Sequence, residues 1–247
     1  MALIDISAIV TFHNEGLLAQ PCLDSVARAV ARVRAAGARV EVIAVLDRPD
    51  ARTREMVEKW QEPRRLLCVE FGDPGESRNA GVRNAVGGHV AFLDGDDLWG
   101  GDWLIRALEC ARADPRLIVW HPEVNVYFGT TVALFRHIDM ESAEFDPLSL
   151  AATNYWTVLC FAPREFLLRT PFAATSLTEK IGYEDWAWNI AAIEAGALHK
   201  VATGSGHAIR VKSFGSVLRA YAAVGASPPP TRYFRTLLAR STGGRTS

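Results

Sequence analysis

Cysteine is scarce in this chain: Cys22, Cys68, Cys110 and Cys160 lie far apart, and no Cys-x-x-Cys pair occurs. That spacing argues against a zinc site or a redox dithiol and leaves buried free thiols as the expectation. A surplus of charge of one sign is also lacking. Lysine and arginine number 27 against 28 aspartates and glutamates, a net charge of -1, so there is no electrostatic case for nucleic acid as a partner. No apolar run approaches the roughly 20 residues that a membrane-spanning helix needs. The stretch from Met1 to Ser7 has neither a basic region nor a long hydrophobic segment, which argues against secretion and makes the cytoplasm the expected location. Internal repeats and low-complexity segments are missing too. What remains is a chain of 247 residues, 49% of them hydrophobic, enough to bury the core of an α/β domain.

In the first half, apolar strands alternate with amphipathic helices, the pattern of a mostly parallel sheet covered on both faces. Strands are expected at about 4–10, 40–46 and 66–71, with a fourth ending at Leu93. Helices are expected at about 21–36, with Pro21 suited to a first turn and Gly37 to a C-terminal cap, and at about 51–60. A short helical pattern between Gly75 and Val86 is stopped by Gly87 and Gly88. In open sheets of this kind the ligand crevice lies beyond the carboxyl ends of the strands, where Thr11, Asp47 and Asp94 all fall.

The segment Phe92-Leu93-Asp94-Gly95-Asp96-Asp97-Leu98-Trp99 places three carboxylates in a turn directly after an apolar strand. Such a cluster repels itself and calls for a cation; oxygen donors at this density suit magnesium or manganese, which bind through one or two carboxylates and complete their shell with water and phosphate. The plain alternative is a solvated acidic loop capping the next helix. Upstream stands Ser77-Arg78-Asn79-Ala80-Gly81, and far downstream Tyr183-Glu184-Asp185-Trp186. The first strand runs into Thr11-Phe12-His13-Asn14-Glu15, and the second ends Val45-Leu46-Asp47.

Four motifs in this order resemble the family 2 glycosyltransferases, densely over about the first hundred residues, sparsely from about Pro122 to Leu177, and again at the Glu-Asp pair. The resemblance implies an α/β fold of the GT-A type, with a nucleotide-binding half at about 1–121, an acceptor half at about 122–226, and a linker and tail at 227–247. It implies an inverting enzyme that moves a sugar from a nucleotide-diphosphate donor to an acceptor hydroxyl, assisted by manganese or magnesium. Asp96 would bind the metal, with Asp94 in the metal shell or at the ribose and Asp97 supporting the turn or reaching the donor sugar. Asp47 would accept a hydrogen bond from the base, the alternative being a helix cap ahead of Pro49. Arg78 would pair with a phosphate, the alternative being a solvated helix charge, and Thr11, Asn14 and Glu15 would line the donor site. Asp185 would be the catalytic base, kept ionised at a helix N-terminus, with Glu184 orienting it or touching the acceptor. Trp186 and Trp188 read as core residues before sugar-stacking ones.

One departure stands out. Where many members carry Arg-x-His with the histidine contributing to the metal, this chain has Arg210-Val211-Lys212. A protonated lysine is no ligand, so Lys212 either neutralises the diphosphate itself or leaves the metal more weakly held. Beyond the first half, short strands are expected at about 117–120, 124–127, 131–135 and 207–212 and helices at 163–168 and 186–194, with 136–157 irregular around one turn near Leu148 and shaping the acceptor site. After Pro228 to Pro230, Tyr233, Phe234, Leu237 and Leu238 form one face of a basic tail helix, suited to its own domain, to a second subunit, or to peripheral contact with the inner face of a membrane. Two other functions stay in view: a catalytically idle relative that binds nucleotide-sugar as sensor or scaffold, and a metal-dependent phosphohydrolase. The last needs an aspartate after the first strand, where this chain has Thr11-Phe12-His13-Asn14.

Overall fold

A computed structural model of the protein describes residues 4–62, 65–213, 215–228, 231–233, 235, 236 and 239. In chain order the elements are β1 (Ile6–Phe12), a 3-10 turn (Gly16–Leu18), α1 (Ala19–Ala35), β2 (Val40–Asp47), α2 (Ala51–Lys59), β3 (Arg65–Val69), α3 (Pro74–Asn84) and β4 (His89–Asp94). The second half adds β5 (Leu98–Trp99), α4 (Trp103–Ala113), β6 (Ile118–Gly129), β7 (Ala133–Arg136), a second 3-10 turn (Pro147–Ala151), β8 (Phe161–Pro163), α5 (Arg164–Arg169), α6 (Glu184–Glu194), β9 (Leu198–Val211) and α7 (Val217–Val224).

One mixed sheet of nine strands runs through both halves in the order β3-β2-β1-β4-β8-β6-β9-β5, with β7 beside β6. The β3, β2, β1 and β4 strands are parallel, and β1 is buried along nearly its whole length, as a strand covered on both faces must be. The chain steps outward from β1 to β3, then returns across β1 to form β4. Because such crossovers are right-handed, the reversal puts α3 on the face opposite α1 and α2. Accordingly α1 packs against α2 and α4, and α3 against α5 and α6. The direction reverses between β1 and β4, where Thr11 pairs in register with Asp94, and a crevice opens at such a switch point.

The second half departs from the sequence expectation in its sheet. The two short strands expected at 117–120 and 124–127 are one strand, β6, with an irregularity between Pro122 and Val124. The strand expected at 207–212 is the end of β9, which begins at Leu198 and runs parallel to β6. β4–β8, β6–β8, β5–β9 and β6–β7 are antiparallel pairs. The thiols also divide: Cys22 and Cys160 are buried, Cys110 on α4 is half-buried, and Cys68 is exposed on β3, an edge strand. No helix among the described residues is long and apolar enough to cross a membrane. Of the expected tail face, Phe234, Leu237 and Leu238 lie outside the described residues, as do Pro229, Pro230 and Arg240.

A candidate active site at the switch point

The Ser77-Arg78-Asn79-x-Gly81 motif is a set of four attachments made by one helix. Asp73 caps α3 by accepting from the Glu76 N–H at 2.9 Å, with Pro74 in the first turn. Gly81 faces β1 so closely that an added Cβ would lie 2.6 Å from Ile9 Cγ2, so only glycine lets α3 settle on the strand. Asn79 exchanges hydrogen bonds with the backbone of Phe172, donating at 2.9 Å and accepting at 3.0 Å. Ser77 donates to Asp47 Oδ2 at 2.7 Å. The Asp47 carboxylate also accepts from the backbone N–H groups of Gly72 and Asp73, so this buried side chain fixes the loop that leads into α3. The cap of α2 is supplied instead by Asp50, which accepts from the Thr53 N–H; Asp47 is therefore no helix cap ahead of Pro49.

Arg78 is buried and joins the distant motifs. One terminal nitrogen donates to both oxygens of Asp94 at 2.8 and 3.0 Å, and the other to Glu184 Oε1 at 2.9 Å. Burial works to lower its pKa, and the charges of Asp94 and Glu184 more than reverse this, so the guanidinium stays protonated. It is not a solvated helix charge, and both terminal nitrogens are already engaged by carboxylates rather than open to a phosphate. Its Nε is buried without a partner. Glu184 accepts in addition from the Tyr221 hydroxyl at 3.1 Å, which brings α7 into the network.

The acidic turn resolves its self-repulsion in three ways. Asp94 takes Arg78 and a hydrogen bond from Thr11 Oγ1 at 3.0 Å. Asp96 takes the ammonium of Lys212, Nζ to Oδ2 2.8 Å. Asp97 points inward to the Arg210 N–H at 2.7 Å, where burial, and then the charges of Asp96 and Asp94, hold its carboxyl well above the usual range. Gly95 allows the turn to close against β1: a Cβ there would stand 2.4 Å from Phe12 Cδ1 and 2.9 Å from Thr11 O. Part of the cation that the cluster calls for is thus supplied by the chain itself. For Lys212 burial lowers the pKa and Asp96 outweighs it, leaving the ammonium charged.

Glu15 borders the same cleft. It accepts from the His13 N–H at 2.6 Å, and burial together with the charge of Asp96 pushes its carboxyl up to about 7. Asn14 is exposed and accepts from the Asp50 N–H. Asp185, in the first turn of α6, accepts from the Trp186 N–H at 2.8 Å and from Asn154 Nδ2 at 3.2 Å. Burial and the neighbouring charge of Glu184 push its pKa up to about 7, so the helix terminus does not hold it firmly ionised. Trp188 is buried in the core and Trp186 half-buried. Tyr127 of β6 faces the cleft from the sheet; burial raises its pKa to about 12, and the charges of Asp185 and Asp97 add to the shift.

Among the described residues, no three His, Cys, Asp or Glu side chains converge as a metal cluster. Asp94 and Asp96 offer hard oxygen donors of the kind a divalent ion takes through one or two carboxylates, and in this structure Arg78 and Lys212 occupy them.

The profile of Glycosyl transferase family 2 matches residues 7–173, more than half of the chain and all of the elements that build the switch point. The chain belongs to that family. This family 2 chain is 28% identical to the succinoglycan biosynthesis protein ExoO of Rhizobium meliloti (strain 1021) over 229 residues, covering 87% of this chain and 63% of ExoO. It therefore spans less than two thirds of that relative. Its structure is similar to S. aureus TarS 1-349 in complex with UDP-GlcNAc, with a TM-score of 0.63 and 16% identity, covering 94% of this chain and 69% of that one. It is also similar to the mannosyltransferase PcManGT from Pyrobaculum calidifontis in complex with GDP-Man and Mn2+, with a TM-score of 0.62 and 18% identity, covering 98% of this chain and 70% of that one. These likenesses establish the GT-A fold, an α/β architecture with a mostly parallel mixed sheet.

Asn154, Ser77, Asn79 and Tyr221 carry the site as much as the motif carboxylates do. Ser77 and Asn79 stand inside a motif and were findable there. Asn154 and Tyr221 carry no sequence signal, since what defines them is a partner on another element.

Proposed function

We propose that the chain transfers a sugar from a nucleotide-diphosphate donor to an acceptor hydroxyl with inversion. The observation that carries this reading is the Arg78 bridge, which ties the end of β4 to the Glu-Asp pair of α6 and gathers two motifs 90 residues apart, Asp94 and Glu184, around one guanidinium. The donor would lie in the crevice beyond β1 and β4; TarS and PcManGT, which share this fold, form complexes with UDP-GlcNAc and GDP-Man.

In this reading Asp185 takes the proton of the acceptor hydroxyl as the oxygen attacks the anomeric carbon. A carboxylate raised to about 7 suits that task, because a base works best when its pKa lies near the working pH. Glu184, fixed by Arg78 and Tyr221, orients the turn of helix that presents Asp185. Lys212 offsets charge that grows on the departing diphosphate. A divalent metal, manganese or magnesium, would be held by Asp96 with Asp94 beside it, and would act as a Lewis acid on the diphosphate oxygens. Thr11, Asn14 and Glu15 would border the donor.

Thermal melting against a panel of UDP-, GDP- and TDP-sugars, with and without manganese, tests the reading, since a ligand of the folded state raises apparent stability. A rise with at least one nucleotide-sugar is expected, and it should vanish when Asp96 is replaced by alanine. No rise with any member would count against a donor site at the switch point.

A further inference from the structure

The side chain that holds the Asp185 carboxylate in place is an amide whose orientation follows from a backbone carbonyl. Asn189, fully buried on α6 one turn after Asp185, donates from Nδ2 to the Trp156 carbonyl at 2.9 Å. A carbonyl only accepts, so the NH2 of Asn189 must face it. The same NH2 donates to Asn154 at 3.0 Å, and Asn154 must therefore turn its oxygen that way. That oxygen also receives the Trp156 N–H at 3.4 Å. The remaining end of Asn154, its NH2, is left pointing at Asp185 Oδ2. The segment cannot swing away readily, because Trp156 is buried, stacks on His199 at 4.2 Å between ring centroids, and donates to the Ile138 carbonyl. Asn189 Oδ1 is buried without a partner, a cost for which packing alone gives no reason.

We infer that Asn154, held by Asn189, is the positioning residue for Asp185: it fixes the carboxylate's rotamer and donates to its ionised form. This rests on the reading of Asp185 as the base. The charged or titratable groups around Asp185 are Glu184 beside it, Arg78 from α3, Asp94 from β4 and Tyr127 from β6. Burial opposes ionisation, as do Glu184 and Asp94, while the Trp186 N–H on the other carboxylate oxygen and, from a distance, Arg78 support it. Asn154 is the neutral side chain that donates to the carboxylate directly, so its loss should favour the protonated, catalytically silent form.

The test is a carbon-13 titration of aspartate-labelled protein, the Asp185 resonance being identified by its loss in Asp185→Asn. Two variants are compared with wild type. Asn154→Ala removes the donor, and Asn154→Asp keeps the shape and the acceptor for Asn189 while turning an oxygen toward Asp185. Both should move the Asp185 midpoint upward by about one to two pH units, the size expected when a hydrogen bond to a charged group is lost. The isosteric variant should move it at least as far as alanine does, and thermal melting should show both folded. An unmoved midpoint in the isosteric variant would overturn the inference even if alanine disturbed the fold. Turnover retained by Asp185→Asn would instead sink the base assignment and leave the titration result standing, so the two failures are separable.

Discussion

Replacing Arg78 by methionine isolates the contact that holds the two halves of the site together. Methionine fills much of the stem's volume but leaves Glu184, whose side chain is 9% exposed, and Asp94, 33% exposed, without their shared cation. Removing one partner of a buried pair strands an uncompensated charge and costs about 3–5 kcal/mol, far more than the pair's net contribution. At roughly 2–4 °C per kcal/mol for a chain of this size, the melting temperature should fall by roughly 6–20 °C. Glu184 is the more buried of the two carboxylates and among the described residues has only the Tyr221 hydroxyl besides Arg78. Adding Glu184→Gln to Arg78→Met should therefore recover most of the loss, since the half-exposed Asp94 can turn to water. Urea unfolding of wild type, both single variants and the double variant gives the coupling directly. A loss below about 1 kcal/mol for Arg78→Met, the size of an exposed pair, would refute the claim that this guanidinium is a buried tie.

Two further outcomes follow from the charges. His121, His137, His199 and His207 are buried, and burial holds all four well below the ordinary histidine range, the last three at about 3; the unfolded chain takes up their protons as pH falls below about 6.5. Their stabilisation is complete above that value and is lost toward about 3. Burial also lowers His89, so the depressed histidines outnumber Glu15, Asp97 and Asp185, raised acids that gain stability on the same descent, and urea unfolding should show a net loss of stability as pH falls from about 6 to about 5; a flat profile would contradict the buried-histidine assignment. Lys212→Ala should weaken binding of a nucleoside diphosphate in calorimetry, less so at high salt because the ammonium is partly exposed and screened, and Lys212→His should make binding more metal-dependent; equal low-salt binding by wild type and the alanine variant would place the lysine outside the site.

How far the sequence reaches differs between elements. β1, β2 and β4 are legible because each is buried on both faces and reads as an apolar run ending at a polar residue, and the motifs that follow them fall at the switch point. α4 carries a helical spacing in Trp103, Leu104, Ala107 and Leu108, so its signal is present although no motif marks it. β8 has three residues and β5 two, too short for any period to show. α7 carries a helical spacing in Val217, Leu218, Tyr221 and Val224, and Gly225 caps it in the left-handed region at φ +65°. The site is legible in its carboxylates and not in what holds them. Nothing local links Arg78 to Glu184 across 106 positions, or Lys212 to Asp96, or Asn154 to Asp185, because these are meetings of side chains that the sheet order creates. The same contacts explain why an arginine placed for a phosphate by motif is occupied by two carboxylates in the fold.

Asp185→Asn tests the central claim most directly. The amide keeps the shape and removes the proton-accepting charge, so sugar transfer, or donor hydrolysis where no acceptor is at hand, should fall by about 10²- to 10⁴-fold. Because a base acts on the transition state, affinity for the nucleotide donor in calorimetry should stay near that of wild type. Near wild-type turnover in the Asp185→Asn protein would contradict the account, and so would a loss of donor affinity equal to the loss of rate.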